Sequence, residues 1–143
     1  MAATNSSVLA LDVGSKRIGV ATASLIARLP HPLTTLANDG DFYESLKEII
    51  NQEDVGTLVV GLPRGLQGQE TDQTREIEIF VKELKQEISL PIHMQDEAVT
   101  SEHAEAELKA RGKPYSKGDV DALAATYILD DWLASYTAGA DNE

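Results

Sequence analysis

Val8-Leu-Ala-Leu-Asp-Val-Gly-Ser-Lys-Arg-Ile-Gly-Val-Ala-Thr-Ala23 holds two apolar runs separated by a turn. Val8 to Val13 is short, apolar and closed by Gly14-Ser15-Lys16, the pattern of a strand buried on both faces. Ile18 to Ala23 follows with no room for a helix between, so the two runs form a tight hairpin. Gly19 and Ala21 are small and share one face, which predicts a closely packed layer above them. One residue breaks the apolar run: Asp12, a carboxylate where the middle of a sheet is expected. An ionised acid there is costly unless something pairs with it, although capping the turn that follows is a plainer role.

Downstream, Pro32 to Leu36 predicts a third strand. From Asp41 the period lengthens: Phe42, Leu46, Ile49 and Ile50 fall at i, i+4, i+7 and i+8, an amphipathic helix for which Asp41 and Glu44 resemble a capping box. Thr57 to Gly61 predicts another buried strand and Leu62 to Gly68 a loop rich in Gly and Pro. Ile77, Phe80, Val81, Leu84 and Ile88 form one face of a second helix, and Pro91 to Gln95 is the fifth strand. Gly112-Lys113-Pro114 separates two further helices, the last starting after Ser116, and 137–143 is expected to be a flexible tail. The order β-β-β-α-β-α-β-α-α predicts an α/β protein of ribonuclease-H-like architecture: a five-stranded mixed sheet, antiparallel first and parallel after, flanked by helices. At 143 residues, one domain over 1–136 accommodates all of these elements.

The chain has no cysteine, so disulfides and thiolate metal sites are excluded and a bound metal must use carboxylate, imidazole or water. Met1 to Ser7 carries no basic residue and no apolar run, and no stretch approaches the roughly 20 apolar residues that span a bilayer. Neither a signal peptide nor a membrane contact is expected, and the expected compartment is the cytoplasm. The net charge of −12 argues against non-specific binding of nucleic acid, which relies on Lys and Arg at phosphates. Five basic residues nevertheless fall near expected strand ends or the start of the last helix: Lys16, Arg17, Arg64, Lys113 and Lys117. They are candidates for a local rim that guides a nucleic-acid backbone, with solvated surface charge as the alternative for each.

Asp121 is a second misplaced acid. With Ala125, Ile128, Leu129 and Trp132 it lies at i, i+4, i+7, i+8 and i+11, the stripe that faces the core, so it points inward at the start of its helix. Its other use is to stabilise the helix N-terminus. Asp119 differs, because Ser116-x-x-Asp119 fits a capping box. A third acid comes from Gln95-Asp96-Glu97-Ala98-Val99-Thr100-Ser101, where either Asp96 or Glu97 serves and Thr100 or Ser101 caps the next helix. Strand ends and helix start share the rim on which open α/β folds carry their sites. Three acids meeting there repel one another, and Mg²⁺ or Mn²⁺ with all-oxygen ligation relieves the repulsion. Two such ions about 3.5–4 Å apart activate a water and stabilise the leaving oxygen of a phosphodiester, with no covalent nucleophile. His31, His93 and His103 share no ligand spacing and read as surface or core-edge residues, and Trp132 reads as core.

Four segments together resemble the YqgF/RuvX family, in order, from residue 8 to residue 133. They are Ala10-Leu-Asp-Val-Gly-Ser-Lys-Arg-Ile-Gly-Val-Ala21, Val60-Gly-Leu-Pro63 with Gly68 and Thr71 to Thr74, Asp96-Glu97-x-x-Thr100-Ser101, and Val120-Asp121-Ala-Leu-Ala-Ala125 with Ile128-Leu129. That family is described as Holliday junction resolvases and pre-16S rRNA nucleases with a ribonuclease-H-like fold. The resemblance implies Asp12, Glu97 and Asp121 as the acidic triad that is both catalytic and metal-binding. There is one departure: Asp96-Glu97-Ala98 stands where the family usually has Asp-Glu-Arg, so a basic side chain next to the site is missing, which puts in question a phosphate contact or a partner of Glu97 rather than the metal ligands and is compatible with a weaker or altered activity.

The expected function is a metal-dependent nuclease acting on structured RNA or branched DNA. The 5′ end of pre-16S rRNA is favoured, because the family description includes it and a single-site trimming enzyme needs no symmetric dimer. Holliday junction resolution is the alternative, and both monomer and homodimer are compatible with the sequence. A non-catalytic nucleic-acid-binding module is the alternative of another class, with Ala98 as its only hint. Asp12-x-Gly14-x-x-x-x-Gly19 also resembles the phosphate loop of sugar-kinase and actin-like ATPases, but those enclose a nucleotide between two lobes and this length supplies one.

Overall fold

The computed structural model describes residues 7–64, 67–97 and 100–136. β1 (Ser7–Val13) and β2 (Arg17–Ser24) form the expected antiparallel hairpin, closed where the Gly14 N–H donates to the Arg17 carbonyl at 2.8 Å. β3 (His31–Ala37) pairs antiparallel with β2. After α1 (Phe42–Gln52), β4 (Val55–Pro63) runs parallel to β1, and after α2 (Asp72–Glu87), β5 (Ile92–Glu97) runs parallel to β4. α3 (Thr100–Arg111) and α4 (Lys117–Ser135) complete the order, and the sheet reads β3-β2-β1-β4-β5. The mixed five-stranded sheet is the one that the element order predicts.

β1 takes the central position because both its faces are apolar. Leu9, Leu11 and Val13 join Phe42, Leu46, Ile77, Val81 and Leu84 of α1 and α2 in one core, while Val8 and Ala10 join Ala125, Ile128, Leu129 and Trp132 of α4 in the other. Each fully buried leucine contributes about 1.5–3 kcal/mol. Asp12 follows Ala10 on the α4 side of the strand by simple alternation. α3 is attached more lightly, with Ala104 and Leu108 packed on Leu123 and Ala124 of α4.

α4 is fixed at both ends. At its start, the Ser116–Asp119 capping box forms as expected, with the Asp119 N–H donating to Ser116 Oγ at 3.1 Å and the Ser116 N–H to Asp119 Oδ2 at 2.9 Å. Thr35 Oγ1 on β3 donates to the Gly118 carbonyl at 2.6 Å. At its far end α4 has no basic residue of its own, and Arg28 supplies one from the β2–β3 turn. Its guanidinium donates to the Leu133 and Tyr136 carbonyls, placing a cation at the negative end of the helix dipole, and the left-handed backbone of Arg28 (φ 59°) aims it there.

Three local expectations change. Leu62 and Pro63 belong to β4, and Asp96 and Glu97 to β5, because parallel pairing continues through Leu62↔Asp96 and Pro63↔Glu97. The Asp41–Glu44 capping box does not form: Asp41 already has helical backbone angles (φ −92°, ψ 0°), and its N–H instead donates to Asp39 Oδ1 at 2.9 Å. The capping box of Thr71 and Thr74, which opens α2, was not anticipated. Ala98, the Thr100 side chain and the tail 137–143 lie outside the described residues, as do Gly65 and Leu66. Among the described residues no helix is long and apolar enough to cross a membrane.

Gly19 is where the hairpin meets α4. A Cβ built on it would stand 2.0 Å from the Asp121 carbonyl oxygen and 2.8 Å from the Ala122 nitrogen, both backbone atoms that cannot turn aside. Gly19→Ala is therefore expected to lift the second turn of α4 off β2 and to lower stability in urea denaturation by about 1–3 kcal/mol. Unchanged stability would contradict the direct seating of α4 on β2.

Candidate active site

β1, β4 and β5 point their C-terminal ends to the same rim, and the start of α4 lies across it. Asp12 is the penultimate residue of β1, in register with Gly19, so the glycine that admits the Asp121 backbone is the partner of Asp12 across the hairpin. Burial, and then the charge of Asp121, push the Asp12 carboxyl up to about 6.

Glu97 closes β5 opposite Pro63, and its carbonyl accepts the Arg64 N–H at 3.0 Å, tying the exits of the two strands together. Strand alternation sends the two acids to opposite sides of β5. Asp96 is exposed and its Oδ1 accepts from Arg64 Nε at 3.3 Å, whereas Glu97 turns into a cleft of about 290 Å³ that Asp12, Gly61, Arg64, Gln73 and Ser101 also line. The Glu97 carboxyl is pushed up to about 8, first by burial, then by hydrogen bonding to and the charge of Asp131, with a smaller contribution from Asp12; a hydrogen bond from Gln95 opposes the rise. Gly61 keeps the cleft floor low, since a Cβ on it would meet Ile128 Cδ1 at 2.4 Å.

Asp121 is near enough for its charge to act on Asp12, but its own partner is on β2. Its Oδ2 accepts from Arg17 Nε at 2.6 Å, a partly buried charge-assisted bond. Asp121 thus lies next to the cleft and does not line it. Among the described residues no group of three or more His, Asp or Glu side chains is close enough together to hold one ion. Asp12 is near both of the other acids, while Asp121 is drawn to Arg17 and Glu97 to Asp131.

The expected basic residues divide. Arg17 is bonded to Asp121, and Arg64 lines the cleft while pairing with Asp96 and, at 3.7 Å, with Glu70. Lys16 is exposed in the hairpin turn. Lys113 lies instead on a separate groove of about 580 Å³ between β3 and the α3–α4 connection, and Lys117 is exposed at the first position of α4. The three histidines are exposed, and Trp132 is buried, its ring centroid 5.5 Å from that of His93. Asp131 is the acid that sequence reading missed. Its signal is position i+3 from buried Ile128, on the edge of the apolar stripe beside Trp132. Gln73 and Ser101 line the cleft without any pattern that marks them.

The fold and this rim have relatives. Residues 6–135 match the RuvX family, described as Holliday junction resolvase. The chain belongs to the RuvX family. A relative from Maridesulfovibrio salexigens, named "Putative pre-16S rRNA nuclease", is 38% identical over 89% of this chain and 97% of its own length. One of the same name from Crocosphaera subtropica is 40% identical over 89% of this chain and 92% of its own. Among solved structures, Thermus thermophilus RuvC in complex with a Holliday junction substrate aligns with TM-score 0.53 and 13% identity over 90% of this chain and 94% of that one. Fowlpox virus resolvase with Holliday junction DNA aligns with TM-score 0.51 and 11% identity, over 90% and 97%. At that identity the likeness is one of fold, and it confirms the ribonuclease-H-like architecture.

As a donor set, the RuvX-family rim offers only carboxylate and other oxygen donors, which suits a hard divalent cation in kind. Crowding also makes the metal-free protein sensitive to pH. A carboxyl raised above its unfolded value holds a proton that the unfolded chain has lost, so its stabilisation is full below the ordinary range near 4.5 and is lost as pH rises through about 6 for Asp12 and about 8 for Glu97. Thermal midpoints of the metal-free chain should therefore fall between pH 5 and pH 9, both approximate limits set by those shifts. Glu97→Gln should flatten the upper half of the decline. An identical decline in the variant would show that Glu97 is not its source.

Proposed function

We propose that this RuvX-family chain is a divalent-metal-dependent nuclease of the cytoplasm that processes the 5′ end of pre-16S rRNA, as the names of its relatives suggest. Asp12, Glu97 and Asp121 are its metal-binding and catalytic acids. The observation that carries this reading is Asp12 itself: a carboxylate near the end of the central strand, with no salt bridge among the described residues and with its proton affinity raised by burial and then by the charge of Asp121. Evenly apolar strands do not keep such a residue for stability.

Mg²⁺ or Mn²⁺ bound there would polarise the scissile phosphate and activate a water, in a one- or two-ion arrangement. The chain supplies the frame. β1 holds Asp12 in the middle, β5 and its bond to Arg64 hold Glu97 on one side, and Gly19 holds the Asp121 backbone on the other. In this reading Arg64 on the cleft and exposed Lys16, with its neighbour Arg17, would meet phosphates of the incoming strand, and Lys113 and Lys117, near the start of α4, would extend that contact. A single domain over 1–136 working as a monomer suffices for end trimming, whereas a homodimer would serve two-strand cleavage.

Holliday junction resolution is the second reading, favoured by the description of the family. Incubation with precursor RNA ends and with four-way junctions, with and without Mn²⁺, separates the two. RNA trimming alone supports the first reading, junction cleavage alone the second, and metal-independent cleavage or simple retention of either substrate removes the nuclease reading. Asp12→Asn, Glu97→Gln and Asp121→Asn are each expected to reduce Mn²⁺-dependent cleavage to background with an unchanged circular dichroism spectrum. Cleavage that survives in any one of them removes that residue from the site.

A further inference from the structure

The strongest contact on the rim joins two residues 104 positions apart, and it holds the acid that the other two would need. Arg17 opens β2, its backbone fixed by the hairpin and by pairing with Ala37. Asp121 has its backbone seated on Gly19 and its helix tethered through Gly118 to Thr35. Neither backbone is free to move, so the side chains decide what Asp121 binds. The arginine side chain is longer and more exposed, at 39% against 18% for the aspartate, so it is the partner that can swing away.

We infer that Arg17 is the counter-cation of Asp121 in the metal-free protein, a positioning residue that must release this carboxylate before a divalent cation can share it with Asp12. Three observations carry this. Nε and Oδ2 stand at 2.6 Å, the bond is long-range and partly buried, and Asp121 is beside Asp12 without lining the cleft that Asp12 and Glu97 share. Arginine suits the task, because a permanently charged, planar fork satisfies a carboxylate and, once freed, presents the same fork to a phosphate. One guanidinium thus keeps the Asp121 charge compensated before metal arrives and is available to the nucleic-acid backbone afterwards.

The inference rests on the metal-binding reading, and the test separates their failures. Isothermal titration of Mn²⁺ into metal-free wild type and Arg17→Gln, without nucleic acid, should show roughly three- to tenfold tighter binding in the variant, the range expected when a partly exposed charged pair no longer competes. Arg17→Lys, which keeps the charge, should stay within about twofold of wild type by the same argument. The KM for nucleic acid should rise in Arg17→Gln while metal affinity tightens, opposite signs that a merely structural role would not give. Equal or weaker Mn²⁺ binding in Arg17→Gln, with wild type binding normally, overturns the competition alone. Absence of Mn²⁺ binding from every form overturns the metal reading and the inference with it. A readout on the unaltered chain covers a glutamine variant that fails to fold: in nitrogen-15 NMR, the Arg17 Nε–H resonance should shift saturably as Mg²⁺ is added, and a resonance that stays in place overturns the inference.

Discussion

The peptide between Asp121 and Ala122 lies on the α carbon of Gly19, where any side chain would collide with backbone atoms. That contact lets α4 cross the sheet at the height of Asp12, two strands from where Glu97 emerges. The far end of the helix is then set by Arg28 and the near end by Thr35, so its course over β2, β1 and β4 is determined by polar clamps at both ends and a small residue beneath. Ile128 over Gly61 repeats the device on β4. Residues from the first strand, the fifth strand and the last helix reach one rim because the chain removes side chains where the helix must come close.

Electrostatics on that rim run against stability. Asp12 and Glu97 both hold protons more tightly than ordinary carboxyls, chiefly through burial, with Asp121 adding to the first and Asp131 and Asp12 to the second. Neighbouring groups offset part of this locally: Asp121 takes Arg17 as partner, and Asp131 favours the protonated form of Glu97. A net charge of −12 does not by itself prevent nucleic-acid binding where positive charge is kept locally; Arg64 lines the cleft, and Lys16 is exposed in the hairpin turn next to Arg17.

The sequence carried the sheet and two of the three acids through simple periodicities. Asp12 interrupts an apolar strand and Asp121 falls on the apolar stripe of α4, so each is visible as a charge on a buried face. Glu97 is different. β5 is a short edge strand that carries an acid on each face, Asp96 with Ile92 and Met94 and Glu97 with His93 and Gln95, so its pattern marks neither acid, and only the resemblance favoured Glu97 over Asp96. Pairing between Arg17 and Asp121, and the influence of Asp131 on Glu97, join residues far apart in the chain and leave no local pattern. The Asp41 cap failed for a related reason: the motif was present, but the backbone had already turned helical at Asp41, out of reach of the N–H it was meant to accept from.

A crystal structure with Mn²⁺, examined by anomalous scattering at the manganese edge, tests most directly whether these acids converge on a cation. The account predicts a peak ligated by Asp12 together with Glu97, Asp121 or both. A peak elsewhere, or a saturating soak that leaves all three carboxylates unligated and Asp121 still bonded to Arg17, would contradict it.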